Sequence, residues 1–224
     1  NIDLAKTTQL VEHLIENGSD SLVVAGTTGE SPTLSTEEKI ALFQHVVKVV
    51  DGRAKIIAGT GSNNTYASIE LTKRAEKIGV DGVLLVSPYY NKPNQQGLYE
   101  HFKAIADSTS LPVMLYNIPG RTAVTISIDT IVKLSEIPNI VAIKESTGDI
   151  AAATEIISKT DDQFMLYSGD DYMTLPFLSI GAKGVVSVAA HIIGNEMQEM
   201  ITAYQQGEHM KAAQLHQQLM PIMN

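Results

Sequence analysis

Cysteine and tryptophan are absent from the 224 residues of this chain, and arginine occurs only three times. Without cysteine, the chain has no disulfide framework, no thiolate nucleophile and no cysteine-ligated zinc or iron–sulfur centre. Long apolar runs are also missing, since stretches such as residues 83–86 fall far short of the roughly 20 residues that a membrane-spanning helix needs. We therefore expect a cytoplasmic protein with no membrane partner, and a reducing compartment fits the lack of cysteine.

Positive charge is scarce as well, because the formal net charge is −9. No stripe of lysine and arginine is available to displace counterions from a phosphate backbone, so a nucleic-acid partner is not expected. A small molecule is the expected partner instead. The length of 224 residues and the hydrophobic content of 44% predict one domain near the size of a single α/β barrel.

Short β-branched runs alternate along the chain with longer amphipathic stretches. Seven runs are apolar on consecutive residues, which is typical of parallel strands that are covered by helices on both faces. The predicted strands are residues 22–25, 56–58, 83–86, 113–116, 140–143, 164–167 and 185–188.

The stretches between these runs carry helix signals. Residues 35–50 open with Ser35 and Glu38, the spacing of a capping box, and their apolar residues share one face. Gly18, Gly79 and Gly181 each stand directly before a predicted strand, as glycine helix stops do. The pattern therefore predicts a repeated β–α unit.

A repeated β–α unit builds either an open doubly wound sheet or a closed barrel. Residues 59–64 read Gly-Thr-Gly-Ser-Asn-Asn and lack the third glycine of a dinucleotide-binding fingerprint, so we interpret them as a tight turn. The sequence favours an α/β fold of the (β/α)8 TIM-barrel type. Because such a barrel has eight strands and a helix over residues 3–17 opens the chain, we expect its first strand upstream of Asn1. Residues 1–207 would form this barrel, and residues 208–224 the start of a C-terminal helical appendix that is cut short.

Lys144 is the first candidate for chemistry. It alone among the lysines closes a predicted strand, and in TIM barrels the active site is built at that end of the strands. Apolar surroundings at the barrel mouth disfavour an ammonium group and so favour a nucleophilic amine. Position alone leaves an equal alternative, a lysine that extends from the strand end into solvent.

Arg121 lies on the loop after the fifth barrel strand, where a guanidinium group is suited to bind a substrate carboxylate through two hydrogen bonds. The alternative is a salt bridge to a loop carboxylate such as Asp149 or Asp170.

Hydroxyl groups follow several of the predicted strands. Thr27 and Thr28 stand between glycines that leave backbone N–H groups free for a carboxylate, while Tyr89, Tyr90 and Tyr116 offer phenols for proton transfer. The alternative for each of them is a purely structural role.

Metal catalysis is not expected. The six histidines are dispersed, and only His191 lies on the expected face. Asp170 and Asp171 are candidate ligands, but an aspartate pair before a helix more often caps it.

Four ordered motifs resemble those of the dihydrodipicolinate synthase family, in the superfamily of lysine-dependent pyruvate aldolases and N-acetylneuraminate lyases. The motifs are Gly26-Thr27-Thr28-Gly29-Glu30, Ser87-Pro88-Tyr89-Tyr90-Asn91, Tyr116-Asn117-Ile118-Pro119-Gly120-Arg121-Thr122 and Ile143-Lys144-Glu145. The resemblance covers essentially the whole chain. It implies condensation of pyruvate with L-aspartate-4-semialdehyde in diaminopimelate and lysine biosynthesis, with no cofactor besides a covalent Schiff base between Lys144 and pyruvate.

The resemblance also implies roles for individual residues. The catalytic residues would be Lys144, Tyr116 as proton donor and acceptor, and Thr27 and Tyr90 as the relay to solvent. The substrate-binding residues would be Thr28, Val186 and Gly169, together with Arg121 for the carboxylate of the semialdehyde. In this family Tyr90 is lent to or paired with a neighbouring subunit, so a homotetramer built as a dimer of dimers, or a dimer, is expected.

The resemblance leaves two alternatives. The first is another pyruvate-dependent aldolase that cleaves sialic acid or a 2-keto-3-deoxy sugar acid, although the sialic acid lyases lack the arginine and read Ser-Thr where this chain has Thr27-Thr28. The second is a non-catalytic protein that binds a keto acid.

One feature departs from the feedback-inhibited members of the family. These members have two histidines and a glutamate where this chain has Thr36, Lys39 and Ala67. We therefore predict weak or absent inhibition by lysine.

Overall fold

The computed structural model describes residues 2–223, in which ten α-helices and seven β-strands alternate. The strands are β1 (Ser21–Val24), β2 (Lys55–Gly59), β3 (Gly82–Val86), β4 (Val113–Asn117), β5 (Ile140–Glu145), β6 (Met165–Ser168) and β7 (Gly184–Val185). The helices are α1 (Leu4–Glu16), α2 (Thr36–Val50), α3 (Thr65–Ile78), α4 (Gln95–Ala106), α5 (Pro119–Thr122), α6 (Ile128–Ser135), α7 (Ile150–Lys159), α8 (Thr174–Ser179), α9 (Ala190–Gln205) and α10 (His209–Met223). Two short 3-10 turns occupy Ser31–Thr33 and Asp171–Met173.

The seven strands form one parallel sheet in which the order in space follows the order in the chain, from β1 to β7. Each strand is joined to the next by a segment that contains a helix, so the predicted α/β fold with a parallel sheet is confirmed and is consistent with a TIM barrel. The described residues contain no further strand between β1 and β7. An additional strand upstream of Asn1 stays a prediction, as does the boundary between residues 207 and 208.

The last predicted strand was too long, because residues 186–188 do not belong to β7. Val186 still donates a backbone hydrogen bond to the carbonyl of Ser168, over 2.8 Å. The chain then turns because the carboxylate of Asp171 accepts hydrogen bonds from the backbone N–H groups of Val188 and Ala189, over 3.1 and 2.9 Å. A side chain outside the apolar run therefore ends the strand.

The helix boundaries follow the signals in the sequence. The predicted capping box is present at the start of α2, where the backbone N–H of Ser35 donates to the Glu38 carboxylate over 3.0 Å and that of Glu38 to the Ser35 hydroxyl over 3.2 Å. Gly18, Gly79 and Gly181 have positive φ angles of 92°, 94° and 104°. A residue with a side chain disfavours such angles, so glycine is the preferred residue at these helix ends.

The main hydrophobic core lies between the sheet and its helices. Phe43, Phe102 and Phe177, from α2, α4 and α8, are fully buried in the same cluster as Leu115 of β4 and Ile143 of β5. Since successive side chains of a strand point to opposite faces, the residues that follow these two, Tyr116 and Lys144, lie on the face turned away from the helices. The core packing of β4 and β5 thus determines where Tyr116 and Lys144 point.

Helix α10 packs against α9 rather than extending away from the sheet. Leu219 and Met223 of α10 share a small apolar cluster with Ala189, Ile193 and Met197. The predicted C-terminal helical segment is therefore helical over residues 209–223, and Asn224 lies outside the described residues. Within residues 2–223, no helix has the length and apolar character needed to cross a bilayer.

The Gly-Thr-Gly segment begins at Gly59, the last residue of β2, and its Gly61 has no room for a side chain. The backbone N–H groups of Thr60 and Gly61 both donate to the carbonyl of Leu84, each over 3.2 Å, which brings the segment against β3. A Cβ atom on Gly61 would lie only 2.5 Å from the backbone nitrogen of Val86.

We predict that Gly61→Ala lowers the free energy of unfolding by about 1–3 kcal/mol, because the added methyl group forces two backbone segments apart. Urea denaturation measures the change. Gly120→Ala is the matched control, since a Cβ there meets no atom within 4 Å and we expect no loss of stability. Equal stability of the two variants would contradict this explanation of the Gly-Thr-Gly segment.

Candidate active site

Lys144 and Tyr116 are neighbours at the carboxyl ends of two paired strands. The parallel register places Tyr116 of β4 beside Lys144 of β5, and the Lys144 Nζ atom lies 4.1 Å from the centre of the Tyr116 ring. Only 9% of Lys144 and 4% of Tyr116 is exposed to solvent. Lys144 therefore does not extend into solvent, contrary to the alternative that its position in the sequence allowed.

Burial determines the protonation of Lys144. Removal from water lowers its pKa from 10.5 to about 8, the nearby carboxylates of Asp170 and Asp171 oppose this change, and Arg121 adds to it. With a pKa of about 8, roughly a tenth of the molecules carry a neutral amine at pH 7. Lys144 thus has the protonation behaviour of a nucleophilic lysine.

Burial acts in the opposite direction on Tyr116, because it raises the pKa of the phenol, as does the charge of Asp170. The hydroxyl of Ser146 and the guanidinium of Arg121 lie near enough to oppose this change. Tyr116 therefore keeps its proton at neutral pH and can donate it.

A cavity of about 180 Å³ opens in front of Lys144. Six of the eight predicted catalytic and substrate-binding residues line it: Thr27, Thr28, Tyr116, Arg121, Lys144 and Gly169. These residues lie at the carboxyl ends of four different strands or in the loops that follow them, and the parallel sheet gathers them at one edge. Met223 of α10 also lines the cavity, a contact that no motif in the sequence indicated.

Gly169 leaves room for the Lys144 side chain. A Cβ atom at this position would overlap the Ser146 hydroxyl and lie 2.9 Å from Cε of Lys144. The backbone N–H of Gly169 donates to the carbonyl of Glu145 over 2.8 Å. This hydrogen bond between the ends of β5 and β6 holds the Gly169 backbone close to the Lys144 side chain. Glycine is thus required here to keep the lysine side chain extended into the cavity.

Arg121 lies on α5 and forms no salt bridge within residues 2–223. Asp149, one of its alternative partners, caps α7 by accepting a hydrogen bond from the backbone of Ala152 over 3.0 Å. The guanidinium is thus free to bind an anion in the cavity. The short helix that carries it is held by the Thr122 hydroxyl, which donates to the carbonyl of Ile118 over 3.0 Å.

Glu145 and Asn117 are functional-site residues that the sequence analysis quoted within motifs but gave no role. Both are almost completely buried and are register partners on β4 and β5. The Glu145 carboxylate accepts hydrogen bonds from Asn117 Nδ2 over 2.9 Å and from the backbone of Thr147 over 2.8 Å. Asn117 Oδ1 in turn accepts from the backbone of Ile126 over 3.1 Å.

This pair ties the loop that carries Arg121 to the strand that carries Lys144. Burial raises the pKa of Glu145, while its hydrogen-bond donors oppose the rise. One feature of the sequence could have indicated this pair. A polar residue directly follows each of the two candidate residues near a strand end, Asn117 after Tyr116 and Glu145 after Lys144.

The aspartate pair after β6 divides into two roles. The Asp171 carboxylate binds the backbone before α9 and accepts a short hydrogen bond from the Ser187 hydroxyl. Both aspartates line the cavity and stabilise the ammonium form of Lys144, and the effect of Asp170 is the larger one. The described residues contain no group of three or more histidine or carboxylate side chains that is suited to hold a metal ion.

Two of the eight predicted catalytic and substrate-binding residues, Tyr90 and Val186, do not line this cavity. Tyr90 is 89% exposed and lines a second, larger cavity of about 680 Å³, which Thr27 also lines. Val186 lines neither cavity and contributes a backbone hydrogen bond to Ser168. No hydrogen bond joins the hydroxyls of Thr27, Tyr90 and Tyr116 within the described residues, although Thr27 borders both cavities.

The chain matches the dihydrodipicolinate synthetase family over residues 1–224. It is 62% identical over 224 residues to a 4-hydroxy-tetrahydrodipicolinate synthase of Bacillus subtilis, which covers 100% of this chain and 77% of that protein. The crystal structure of a dihydrodipicolinate synthase of Bacillus anthracis superposes with a TM-score of 0.95 and 67% identity, over 97% of this chain and 74% of that chain. The chloride-inhibited synthase of Acinetobacter baumannii, complexed with pyruvate, superposes with a TM-score of 0.97 and 44% identity, over 100% of this chain and 77% of that chain.

The match over all 224 residues agrees with the parallel sheet and with the buried Lys144 and Tyr116 at its edge. This chain belongs to the dihydrodipicolinate synthetase family.

Proposed function

We infer that this chain is a lyase that condenses pyruvate with L-aspartate-4-semialdehyde to give 4-hydroxy-tetrahydrodipicolinate, in diaminopimelate and lysine biosynthesis. The observation that carries this conclusion is the buried Lys144 amine beside the Tyr116 phenol, in a cavity that also holds an unpaired Arg121. The similarity to a 4-hydroxy-tetrahydrodipicolinate synthase and to a dihydrodipicolinate synthase, over 100% and 97% of this chain, supports the same substrates.

The first half of the reaction takes place on Lys144. Its neutral amine attacks the keto carbon of pyruvate, and loss of water leaves an iminium ion that draws electrons from the methyl group. Removal of a methyl proton gives an enamine, the carbon nucleophile that attacks the aldehyde of the second substrate. The amine of that substrate then closes the ring by displacing Lys144, which regenerates the free lysine.

Tyr116 is placed to move the protons of these steps. Its phenol lies against Lys144 and keeps its proton at neutral pH, so it donates a proton to the departing hydroxyl and to the aldehyde oxygen. Thr27 lines both cavities, and the exposed Tyr90 lines only the larger one. A proton relay that runs from Tyr116 through Thr27 and Tyr90 to solvent requires this sequence of positions. The large exposure of Tyr90 supports an oligomer, a homotetramer or a dimer, in which a second subunit covers it.

Thr28 and Gly169 line the cavity beside Lys144, where they bind the pyruvate carboxylate together with the strand end at Val186. Arg121 binds the carboxylate of the semialdehyde, because its guanidinium has no protein partner within residues 2–223 and lines the same cavity. This free arginine favours the semialdehyde over the sugar acids that related aldolases cleave. The steps use only side chains of the protein and require no organic cofactor or metal.

Turnover of the candidate substrates tests this assignment. We expect product from pyruvate with L-aspartate-4-semialdehyde and none from sialic acid or 2-keto-3-deoxy sugar acids. Arg121→Gln should lower kcat/KM for the semialdehyde by about 10- to 100-fold, because a charge-assisted hydrogen bond to its carboxylate is lost. Arg74→Gln is the control, since Arg74 binds Glu37 at the surface over 2.7 Å. Turnover of a sugar acid in place of the semialdehyde would reject the assignment.

The pKa of Lys144 predicts the pH dependence. Because the neutral amine is the nucleophile, kcat/KM for pyruvate should rise as the pH passes through about 8, the pKa of Lys144 in the free protein. Asp170 raises this pKa, so Asp170→Asn should move the midpoint to lower pH. Asp162→Asn removes an exposed carboxylate and should leave the midpoint unchanged. A midpoint at higher pH in Asp170→Asn would contradict the electrostatic account.

A further inference from the structure

The loop that carries Arg121 is closed by one side chain. It begins after Asn117, the last residue of β4, and the Asn117 Oδ1 atom accepts a hydrogen bond from the backbone N–H of Ile126 at the other end, over 3.1 Å. Ala123 within the loop has a positive φ of 58°, which is unfavourable for a residue with a side chain. Such a conformation persists where the surrounding structure enforces it. The closed loop therefore limits the positions that Arg121 can take.

Glu145 sets the orientation of the Asn117 amide. The amide nitrogen donates to one carboxylate oxygen of Glu145 over 2.9 Å, and the other oxygen accepts from the backbone N–H of Thr147 over 2.8 Å. Glu145 and Asn117 are only 1% and 2% exposed, so water does not readily replace these partners. Because the carboxylate accepts at both oxygens and donates at neither, it keeps the amide oxygen turned towards Ile126.

This row of hydrogen bonds allows only one kind of residue beside Asn117. An N–H donor stands at each end, from Thr147 and from Ile126, and the carboxylate and the amide lie between them. If an amide replaced the carboxylate, two N–H groups would face each other in every orientation of the two amides. A buried donor without an acceptor is unfavourable. A carboxylate is therefore needed to keep the loop closed.

The steps on Lys144 leave this buried carboxylate without a part. Glu145 does not line the cavity in front of Lys144, and it is not among the charges that shift the pKa of Lys144. Within residues 2–223 it forms no salt bridge. A buried carboxylate without a cation is unfavourable unless hydrogen bonds stabilise it, and here these come from Asn117 and Thr147.

We propose that Glu145 is a positioning residue for the second substrate: through Asn117 it holds the loop that presents Arg121 to the carboxylate of that substrate. The proposal rests on the proposed function where it names the second substrate. The position of the loop itself does not depend on turnover.

Two variants separate this role from a general loss of stability. In Glu145→Gln, two donors face each other, so KM for the semialdehyde should rise about tenfold, because Arg121 is displaced from the carboxylate that it binds. KM for pyruvate, and the borohydride trapping of pyruvate on Lys144, should stay close to those of the parent protein.

The double variant Glu145→Gln with Asn117→Asp exchanges the amide and the carboxylate. The amide at position 145 then donates to the carboxylate at position 117, and both backbone N–H groups still meet an acceptor. We therefore expect the double variant to recover the KM of the parent protein for the semialdehyde. Glu136→Gln, at an exposed position before β5, is the matched control and should behave like the parent protein.

Hydrogen exchange tests the position of the loop without any reaction. The amide proton of Ile126 should exchange faster in Glu145→Gln and regain its protection in the double variant. If the parent protein does not turn over the semialdehyde, the proposed function fails, and this measurement still decides the role of Glu145.

Three outcomes would overturn the proposal: unchanged KM for the semialdehyde and unchanged exchange of Ile126 in Glu145→Gln, an equal rise in KM for both substrates, or a double variant that keeps the defect of Glu145→Gln. If Glu145→Gln does not fold, the double variant carries the test, because its restored hydrogen bonds should give a folded protein with the parent KM. A double variant that also fails to fold would equally overturn the proposal.

Discussion

The removal of one lysine side chain from water is the constraint on which this site depends. Lowering the pKa of Lys144 from 10.5 to about 8 corresponds to about 3 kcal/mol in favour of the neutral amine. The strand alternation of β5 turns the side chain away from the helix-packed core, while the neighbouring Tyr116 ring shields it. Gly169 leaves the space that the extended side chain occupies. The packing of the sheet is thereby coupled directly to the reactivity of the amine.

The charges around the cavity moderate this burial. Asp170 and Asp171 stabilise the ammonium form of Lys144, and Arg121 opposes them, so the pKa remains near physiological pH. The surrounding loops hold strained backbone conformations. Six non-glycine residues among those described have positive φ, and the five that lie in loops near the two cavities are Ala25, Glu30, Tyr90, Lys92 and Ala123. Conformations of this kind persist where the surrounding structure enforces them, and they concentrate at functional sites.

Much of this arrangement could be predicted from the sequence, because it depends on local patterns. Apolar runs located the strands, the capping box of Ser35 located the start of α2, and the rule that barrel sites lie at strand ends selected Lys144 and Arg121. The remainder depends on contacts between distant residues. Asp171 ends β7 from another loop, the Glu145–Asn117 pair requires the register of two strands, and Met223 reaches the cavity only because α10 packs against α9. The absence of a salt bridge at Arg121 within residues 2–223 likewise depends on where the nearby carboxylates lie in the fold.

We propose that Lys144, and no other lysine of the chain, is the nucleophile. Borohydride reduction of the native protein with pyruvate, followed by peptide mass spectrometry, tests it most directly. We expect one reduced pyruvate adduct, located on Lys144 and absent from Lys144→Met. An adduct on another lysine, or an unmodified Lys144 in correctly folded protein, would contradict it.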